Sequence, residues 1–171
     1  MATSKRPNAL AHQEVEPLNE RAARAAALDA LSRRDYASED LRRKLLEKGY
    51  DGTVVAALID RLHGEKLLDD RRYAESFVAY HASRGQGPIR VRTELHLKGI
   101  EALLIEESLG AFPDWIAQLR RAQQKKFGAQ PPNNYADRQR QSRFLAYRGF
   151  TSAHIRAALG FDIYLGQIEE L

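Results

Sequence analysis

The feature that most constrains the fold is a repeat of 50 residues. Gly49, Gly99 and Gly149 stand at equal intervals in a chain of 171 residues, each after a basic residue and before a large apolar one. Alignment of the chain with itself at offsets of 50 and 100 superimposes three sets of positions: Leu41, Leu45, Tyr50, Val55 and Ile59; Val91, Leu95, Ile100, Ile105 and Leu109; and Gln141, Leu145, Phe150, Ile155 and Leu159. Only Gln141 breaks the apolar pattern. Periods of this size predict an array of similar units, each contacting mainly its neighbours.

The spacing within each unit is helical. Leu41 and Leu45 share one helix face, as do Val55 and Ile59. The glycine between them suits the left-handed position after a helix end, where an apolar residue that follows can fold back onto the last turn. Each unit therefore contains a helix, a glycine turn at Gly49, Gly99 or Gly149, and a second helix.

A further helix is predicted before each of these pairs. The three segments read NERAARAAALDALSRR, LDDRRYAESFVAYHASRG and FPDWIAQLRRAQQKKFG. In the second segment, helical spacing predicts that Tyr73, Phe77 and either Tyr80 or Val78 are buried. Helix starts are predicted from residues that suit the first turn: Asn19, Ser38, Asp69, Asp70, Pro88 and Asp114.

These patterns predict an all-α fold made of three helix-turn-helix-like repeats in tandem, each with three helices. We place repeat 1 at 21–68, repeat 2 at 69–112 and repeat 3 at 113–160. Residues 1–20 form an N-terminal extension that we expect to be flexible, and residues 161–171 form a C-terminal tail.

Composition argues against several classes of protein. No apolar run approaches the roughly 18 residues of a membrane span, and the N-terminus lacks the apolar stretch of a secretory signal. The chain has no cysteine, so disulfides and thiolate chemistry are excluded. We expect a cytoplasmic protein with no membrane partner.

The sequence offers no catalytic constellation. Its five histidines never occur as HxxxH or HExxH, so a zinc site is disfavoured. The acid pairs Asp69–Asp70 and Glu106–Glu107 are adjacent, so their side chains diverge on a helix. The run SRGQGPIR reads as a turn between helices. We expect no enzyme activity and no metal or other cofactor.

Positive charge is concentrated in one block. Residues 115–148 contain eight basic residues and only Asp137 as an acid, a net charge of +7. Such a block indicates either a surface that faces a polyanion or a solvated helix face. The starts of the third helices, DGTVV, EALLI and TSAHI, lack the Arg, Asn or Gln expected for base readout. The cations are therefore better suited to phosphates than to base sequence.

The run LLDDRRYAESFVAYHASRGQGPIRVRTELHLKGI, residues 67–100, closely resembles the central signature of the RecX family, regulators of the RecA recombinase. The matching residues are Asp69, Asp70, Tyr73, Ala74, Arg84, Gly85, Gly87, Pro88, Glu94, Leu95, Lys98 and Gly99. LRRKLLEKGY and RFLAYRGF match the flanking repeats more loosely, so the resemblance covers about residues 21–160.

The resemblance implies an elongated, curved array that lies along the groove of the RecA–DNA filament. It also implies inhibition of strand exchange, ATP turnover and coprotease activity. The partners would be the RecA filament and single- and double-stranded DNA, contacted through phosphates. We expect the protein itself to be a monomer. In the second repeat it suggests Arg84, Arg90, Arg92 and Lys98 as contacts. Charge alone adds Arg120, Arg121, Lys125, Lys126, Arg140 and Arg143 in the third.

Two other functions remain open at this point. The basic block alone is compatible with a sequence-nonspecific DNA-binding protein that acts without RecA. A protein–protein scaffold whose charges only confer solubility is the third hypothesis. Direct DNA binding at physiological salt would argue against the scaffold.

Overall fold

A computed structural model describes the backbone of residues 9–160 and the side chains of residues 19–160. This part of the chain contains nine helices and no strands, which confirms the all-α prediction. The helices are α1 (Ala9–Arg33), α2 (Ser38–Glu47), α3 (Gly52–Gly64), α4 (Asp70–Ser83), α5 (Pro88–Leu97), α6 (Ala102–Ala111), α7 (Trp115–Phe127), α8 (Tyr135–Tyr147) and α9 (Ser152–Leu159). The predicted repeat boundaries stay predictions, and the tail at 161–171 lies outside the described residues.

The chain divides into two compact units, residues 1–73 and residues 74–171. In the first unit, α1, α2 and α3 contact one another pairwise. Their core combines small residues from α1 with larger aliphatic ones from the other two helices: Ala23, Ala27, Ala30, Leu41, Leu45, Val55, Leu58 and Leu62. The alanines on the buried face of α1 let its backbone come close to its neighbours.

In the second unit, α5 packs on α6, and α7, α8 and α9 contact one another pairwise. Its buried apolar residues include the positions superimposed by the 50-residue offset: Val91, Leu95, Ile100, Ile105, Leu109, Leu145, Phe150 and Ile155. The periodic apolar positions of the sequence are therefore mostly core positions.

The three periodic glycines end α2, α5 and α8 as predicted. Their φ angles are +87° at Gly49, +78° at Gly99 and +88° at Gly149. At the first turn, the Gly49 N–H donates to the Leu46 carbonyl at 2.8 Å and the Tyr50 N–H donates to the Leu45 carbonyl at 3.3 Å. The same pair of bonds follows α5 and α8. This is the Schellman motif, in which the left-handed residue satisfies the last helical carbonyls.

Most of the predicted helix starts are also found. The Asp114 carboxylate accepts a hydrogen bond from the Ala117 N–H at 2.8 Å, and Pro88 begins α5. Asp69 accepts from the Arg72 N–H at 3.0 Å. Asp70 instead accepts from the Ser38 N–H at 2.8 Å, so it satisfies the start of α2.

The prediction for Asn19 was wrong, because α1 begins at Ala9 and Asn19 lies inside it. Residues 9–18 read ALAHQEVEPL, in which two alanines, two leucines and two glutamates favour helix, so the helix continues upstream despite Pro17. Residues 9–20 of the predicted extension thus have helical backbone, and residues 1–8 lie outside the described part.

The structure answers two questions that the sequence left open: which residue of α4 is buried beside Tyr73, and how Gln141 fits the repeat. Val78 is 1% exposed and Tyr80 is 54% exposed, so Val78 is buried together with Tyr73, whereas Phe77, also predicted to be buried, is only half-buried. Gln141, the exception in the repeat, is buried, but its amide is satisfied. Its Oε1 accepts from Gln123 Nε2 at 2.7 Å, and its Nε2 donates to Asp137 Oδ2 at 3.3 Å. A buried amide with partners on two sides ties α7 to α8 without an orphaned polar atom.

Candidate functional site

The glycine junction is a backbone contact between the start of α5 and the end of α8. The Gly87 N–H donates to the Arg148 carbonyl at 2.8 Å, and the Ile89 N–H donates to the Gly149 carbonyl at 3.0 Å. Helix starts leave N–H groups unpaired and helix ends leave carbonyls unpaired. Here each end satisfies the other, and the partial charges of the two helix ends are complementary.

Three glycines have no room for a side chain at or beside this junction. A Cβ on Gly87 would lie 2.2 Å from the Phe150 nitrogen, and one on Gly149 would lie 2.6 Å from the Arg90 Cβ. A Cβ on Gly85 would lie 2.9 Å from that of Ala122 in α7. The run SRGQGPIR, residues 83–90, which the sequence predicts to be a turn, is therefore also where the second repeat packs against the third.

Next to the junction lies the basic cleft, a cavity of about 260 Å³ between the end of α4, one face of α7 and the end of α8. The lining side chains of α7 recur at helical spacing, so they face the cleft together. The full lining is Ser83, Arg84, Gly85, Gln118, Arg121, Ala122, Lys125, Lys126, Phe144 and Arg148. It contains five cationic side chains and no carboxylate.

Aromatic rings, rather than acids, hold two of these cations. The Arg84 guanidinium lies 4.8 Å from the centre of the Tyr80 ring, and that of Arg148 lies 5.4 Å from the centre of the Phe144 ring. Among the described residues, no carboxylate forms an ion pair with any cation of the basic cleft. A ring orients a guanidinium without cancelling its charge, so the cleft stays strongly positive.

Other cations proposed from the sequence are neutralised locally. Arg90 Nε lies 2.9 Å from Glu94 Oε1. Arg92 binds Glu106 through two hydrogen bonds of 2.6 and 2.9 Å, which lower the pKa of the Glu106 carboxyl and raise that of the Arg92 guanidinium. Both arginines therefore present little uncompensated charge.

The remaining candidates lie apart from the basic cleft lining. Arg140 pairs with Asp137 at 2.5 Å, and Lys98 is half-buried after the end of α5. Arg120 lines a second cavity of about 250 Å³ near the end of α9, and Arg143 is exposed. Of the ten candidates, the structure brings four together in the basic cleft: Arg84, Arg121, Lys125 and Lys126.

Comparison with known proteins identifies the family. Models of the first, second and third three-helix domains of RecX match residues 23–62, 69–109 and 114–159. "Regulatory protein RecX" of Pseudomonas entomophila is 41% identical over 145 residues, covering 84% of this chain and 94% of the relative. The chain belongs to the RecX family.

Other RecX proteins agree with this assignment. "Regulatory protein RecX" of Halorhodospira halophila is 41% identical over 80% of this chain and 86% of its own length. The crystal structure of RecX from Lactobacillus salivarius has a TM-score of 0.72 at 21% identity, covering 83% of this chain and 95% of that one. A second RecX crystal structure has a TM-score of 0.73 at 23% identity, covering 94% of this chain and 80% of that one. These two structures support the fold.

For this member of the RecX family, reasoning from sequence missed one cation of the cleft. Arg148 was counted in the basic block but not chosen as a contact, although it lines the basic cleft and its carbonyl belongs to the glycine junction. A signal was available, because Arg148 is the basic residue before the third periodic glycine, equivalent to Lys48 and Lys98.

The described part of this RecX-family chain shows no other cluster with obvious chemistry. Within it, no three histidine, aspartate or glutamate side chains converge as metal ligands. None of its helices combines the length and the apolar character that crossing a bilayer requires.

Proposed function

We propose that this chain regulates the RecA recombinase by binding the RecA–DNA filament, and that it mainly inhibits strand exchange, ATP hydrolysis and coprotease activity. The observation that carries the proposal is 41% identity, across 84% of the chain, to a protein named Regulatory protein RecX. In this proposal the chain acts as a monomer in the cytoplasm and needs no cofactor.

The charge distribution supports a surface that meets a filament. The paired arginines Arg90 and Arg92 lie on α5, while the basic cleft is formed by α4, α7 and α8. A nucleoprotein filament offers both protein surface and phosphates. Paired charges are suited to protein contacts that require little desolvation, and unpaired cations are suited to phosphates.

The test is ATP hydrolysis by RecA on single-stranded DNA, titrated with the full chain. We expect the rate to fall, and inhibition well below one chain per RecA would favour action at filament ends or by disassembly. An unchanged rate at several-fold excess would refute the proposal. A heat-denatured sample of the same protein serves as the control for buffer effects.

A second candidate is sequence-nonspecific DNA binding without RecA, which the five cations of the basic cleft favour. Binding of this kind weakens steeply with salt, because condensed counterions are released from the strand. Reversal of charge at Lys125 and Lys126 is expected to abolish it. If DNA affinity is retained in that variant, or if RecA activity responds at concentrations where free DNA is not bound, this candidate fails.

A further inference from the structure

We propose that the basic cleft is a phosphate site, in which Arg84, Arg121, Lys125, Lys126 and Arg148 bind the oxygens of a phosphate group carried by a nucleic acid strand. This inference rests on the proposed function for the contact with DNA. It adds that the contacted group is a phosphate and that the contact lies in the basic cleft. It also says why the cleft differs from the other basic surface of the chain.

In the part of the chain that the structure describes, the cations of the basic cleft lack compensating acids. Like charges gathered around one cavity repel one another, and the repulsion grows where solvent is partly excluded. In folded proteins such clusters are usually relieved by acids, as Arg90 and Arg92 are relieved by Glu94 and Glu106. The described lining of the basic cleft contains no acid. An anion from outside the chain would supply the missing charge.

Two of the donors in the basic cleft are already oriented by neighbouring rings. Arg84 lies against the Tyr80 ring and Arg148 against the Phe144 ring. A planar guanidinium held by a ring keeps its N–H groups free for two parallel hydrogen bonds to phosphate oxygens. Because their orientation is set before binding, less side-chain entropy is lost on association.

The size of the basic cleft and its uncharged lining residues also suit a phosphate group. Ala122 and Phe144 contribute apolar surface, and Gln118 adds an amide that can donate hydrogen bonds, whereas the Ser83 hydroxyl already donates to the Tyr80 carbonyl at 2.7 Å. At about 260 Å³ the cleft is slightly smaller than typical pockets for drug-sized ligands, which begin at roughly 300 Å³. It suits a phosphate with its adjoining sugar, which matches recognition of a strand without readout of its bases.

The experiment compares two double variants of the full chain. The cleft variant is Arg121→Gln with Lys125→Gln, and both side chains are exposed, so the fold is expected to be retained. The control variant is Arg90→Gln with Arg92→Gln, which removes the same formal charge from positions already paired with acids. Circular dichroism melting checks that both variants are folded.

Anisotropy of a labelled strand of about ten thymidines measures affinity across a range of salt concentrations. We expect the cleft variant to bind about tenfold more weakly at low salt, and the control variant to stay within about twofold of the wild type. Loss of about two phosphate contacts lowers the slope of log affinity against log salt by about 1.4 for a single strand. Equal losses in the two variants would overturn the inference, because net charge alone would then explain binding.

A second arm separates a strand from a free phosphate compound. Inorganic pyrophosphate is added to each protein, and the melting temperature is followed. A rise for the wild type that the cleft variant lacks, together with its weaker strand binding, supports the site with a strand as ligand. The same rise with unchanged strand affinity supports the site with a free phosphate compound as ligand. Absence of both effects overturns the site.

The outcome is independent of the RecA assay. If the wild type leaves RecA unchanged but the cleft variant loses phosphate binding, the proposed function fails and the phosphate site stands. If the wild type inhibits RecA and the cleft variant keeps full phosphate and strand binding, the proposed function stands and the phosphate site fails.

Discussion

Substitution of Gly87 by alanine tests whether the glycine junction is as closely packed as the structure shows. Gly87 has φ −87° and ψ 168°, an extended conformation that alanine adopts without strain. In open space, a Gly→Ala change at such a position stabilises by about 0.4–1 kcal/mol, because it reduces the freedom of the unfolded chain. The sign of the effect therefore reports the surroundings of the residue rather than its backbone angles.

The surroundings leave no room for the methyl group. It would lie 2.2 Å from the Phe150 nitrogen and 2.3 Å from the Gly149 carbonyl carbon and oxygen, all backbone atoms that cannot rotate away. The start of α5 must therefore separate from the end of α8. This breaks the hydrogen bonds from Gly87 and Ile89, each worth about 1 kcal/mol net.

Packing lost around the displaced backbone adds to this cost, so we expect destabilisation by about 2–3 kcal/mol in total. For a unit of about 100 residues this corresponds to roughly 10–20 °C in melting temperature.

Gly49→Ala is the matched control. Gly49 has φ +87°, and apart from its neighbours in the chain no atom lies within 4 Å of the position its Cβ would take. Only the left-handed backbone opposes alanine there, which costs about 1–2 kcal/mol. Thermal and urea unfolding followed by circular dichroism compare both variants with the wild type. If Gly87→Ala proves neutral or stabilising, the junction is not closely packed and the reasoning is refuted.

Two further predictions concern stability. Lys66, which follows α3, has φ +58°. Lys66→Gly is therefore expected to stabilise the fold by about 0.5–1 kcal/mol, because the left-handed strain that it relieves exceeds the entropy that glycine loses on folding. A lower urea midpoint in this variant would contradict the prediction. Burial lowers the pKa of the His154 imidazole, whose Nδ1 is buried without a hydrogen-bond partner among the described residues. The neutral ring is thus favoured in the folded state, so its contribution to stability is full above about pH 6.5 and is lost as pH falls through the folded pKa. The fall in melting temperature from pH 7.5 to 5.5 is expected to be smaller in His154→Gln, and an equal fall would exclude this role.

Local patterns account for the parts of the fold that could be predicted. The left-handed glycines, the capping role of Asp114 and the helix start at Pro88 each depend on residues close in sequence. The start of α1 was predicted wrongly. The Asn19 side chain is of a type that can cap a helix, but it does so only if the helix begins there, and α1 begins at Ala9. Which of Tyr80 and Val78 is buried also depends on the helices that pack against α4, and the apolar spacing within α4 does not identify them.

The candidate site depends on contacts distant in sequence, so only part of it could be predicted. The pairing of Arg92 with Glu106 joins residues 14 positions apart, and the sequence alone does not separate such a neutralised arginine from Arg84 or Arg121. In the sequence, Gln141 only interrupts the apolar pattern of the repeat. Its hydrogen-bond partner Gln123 lies on another helix, so the sequence does not show that a buried amide is satisfied at this position. Charge counting identified the basic block but could not divide it into paired and unpaired cations.

The glycine junction and the basic cleft share Arg148, and this links stability to phosphate binding. Its carbonyl accepts the Gly87 N–H at 2.8 Å, while its side chain lines the cleft over the Phe144 ring. If an alanine at position 87 forces the end of α8 away, the Arg148 guanidinium moves relative to the cations of α7. Gly87→Ala protein that is still folded at low temperature is therefore expected to bind a thymidine strand several-fold more weakly, although no charge has changed. Gly49→Ala is expected to bind like the wild type, and full affinity in folded Gly87→Ala would show that the cleft tolerates movement of Arg148.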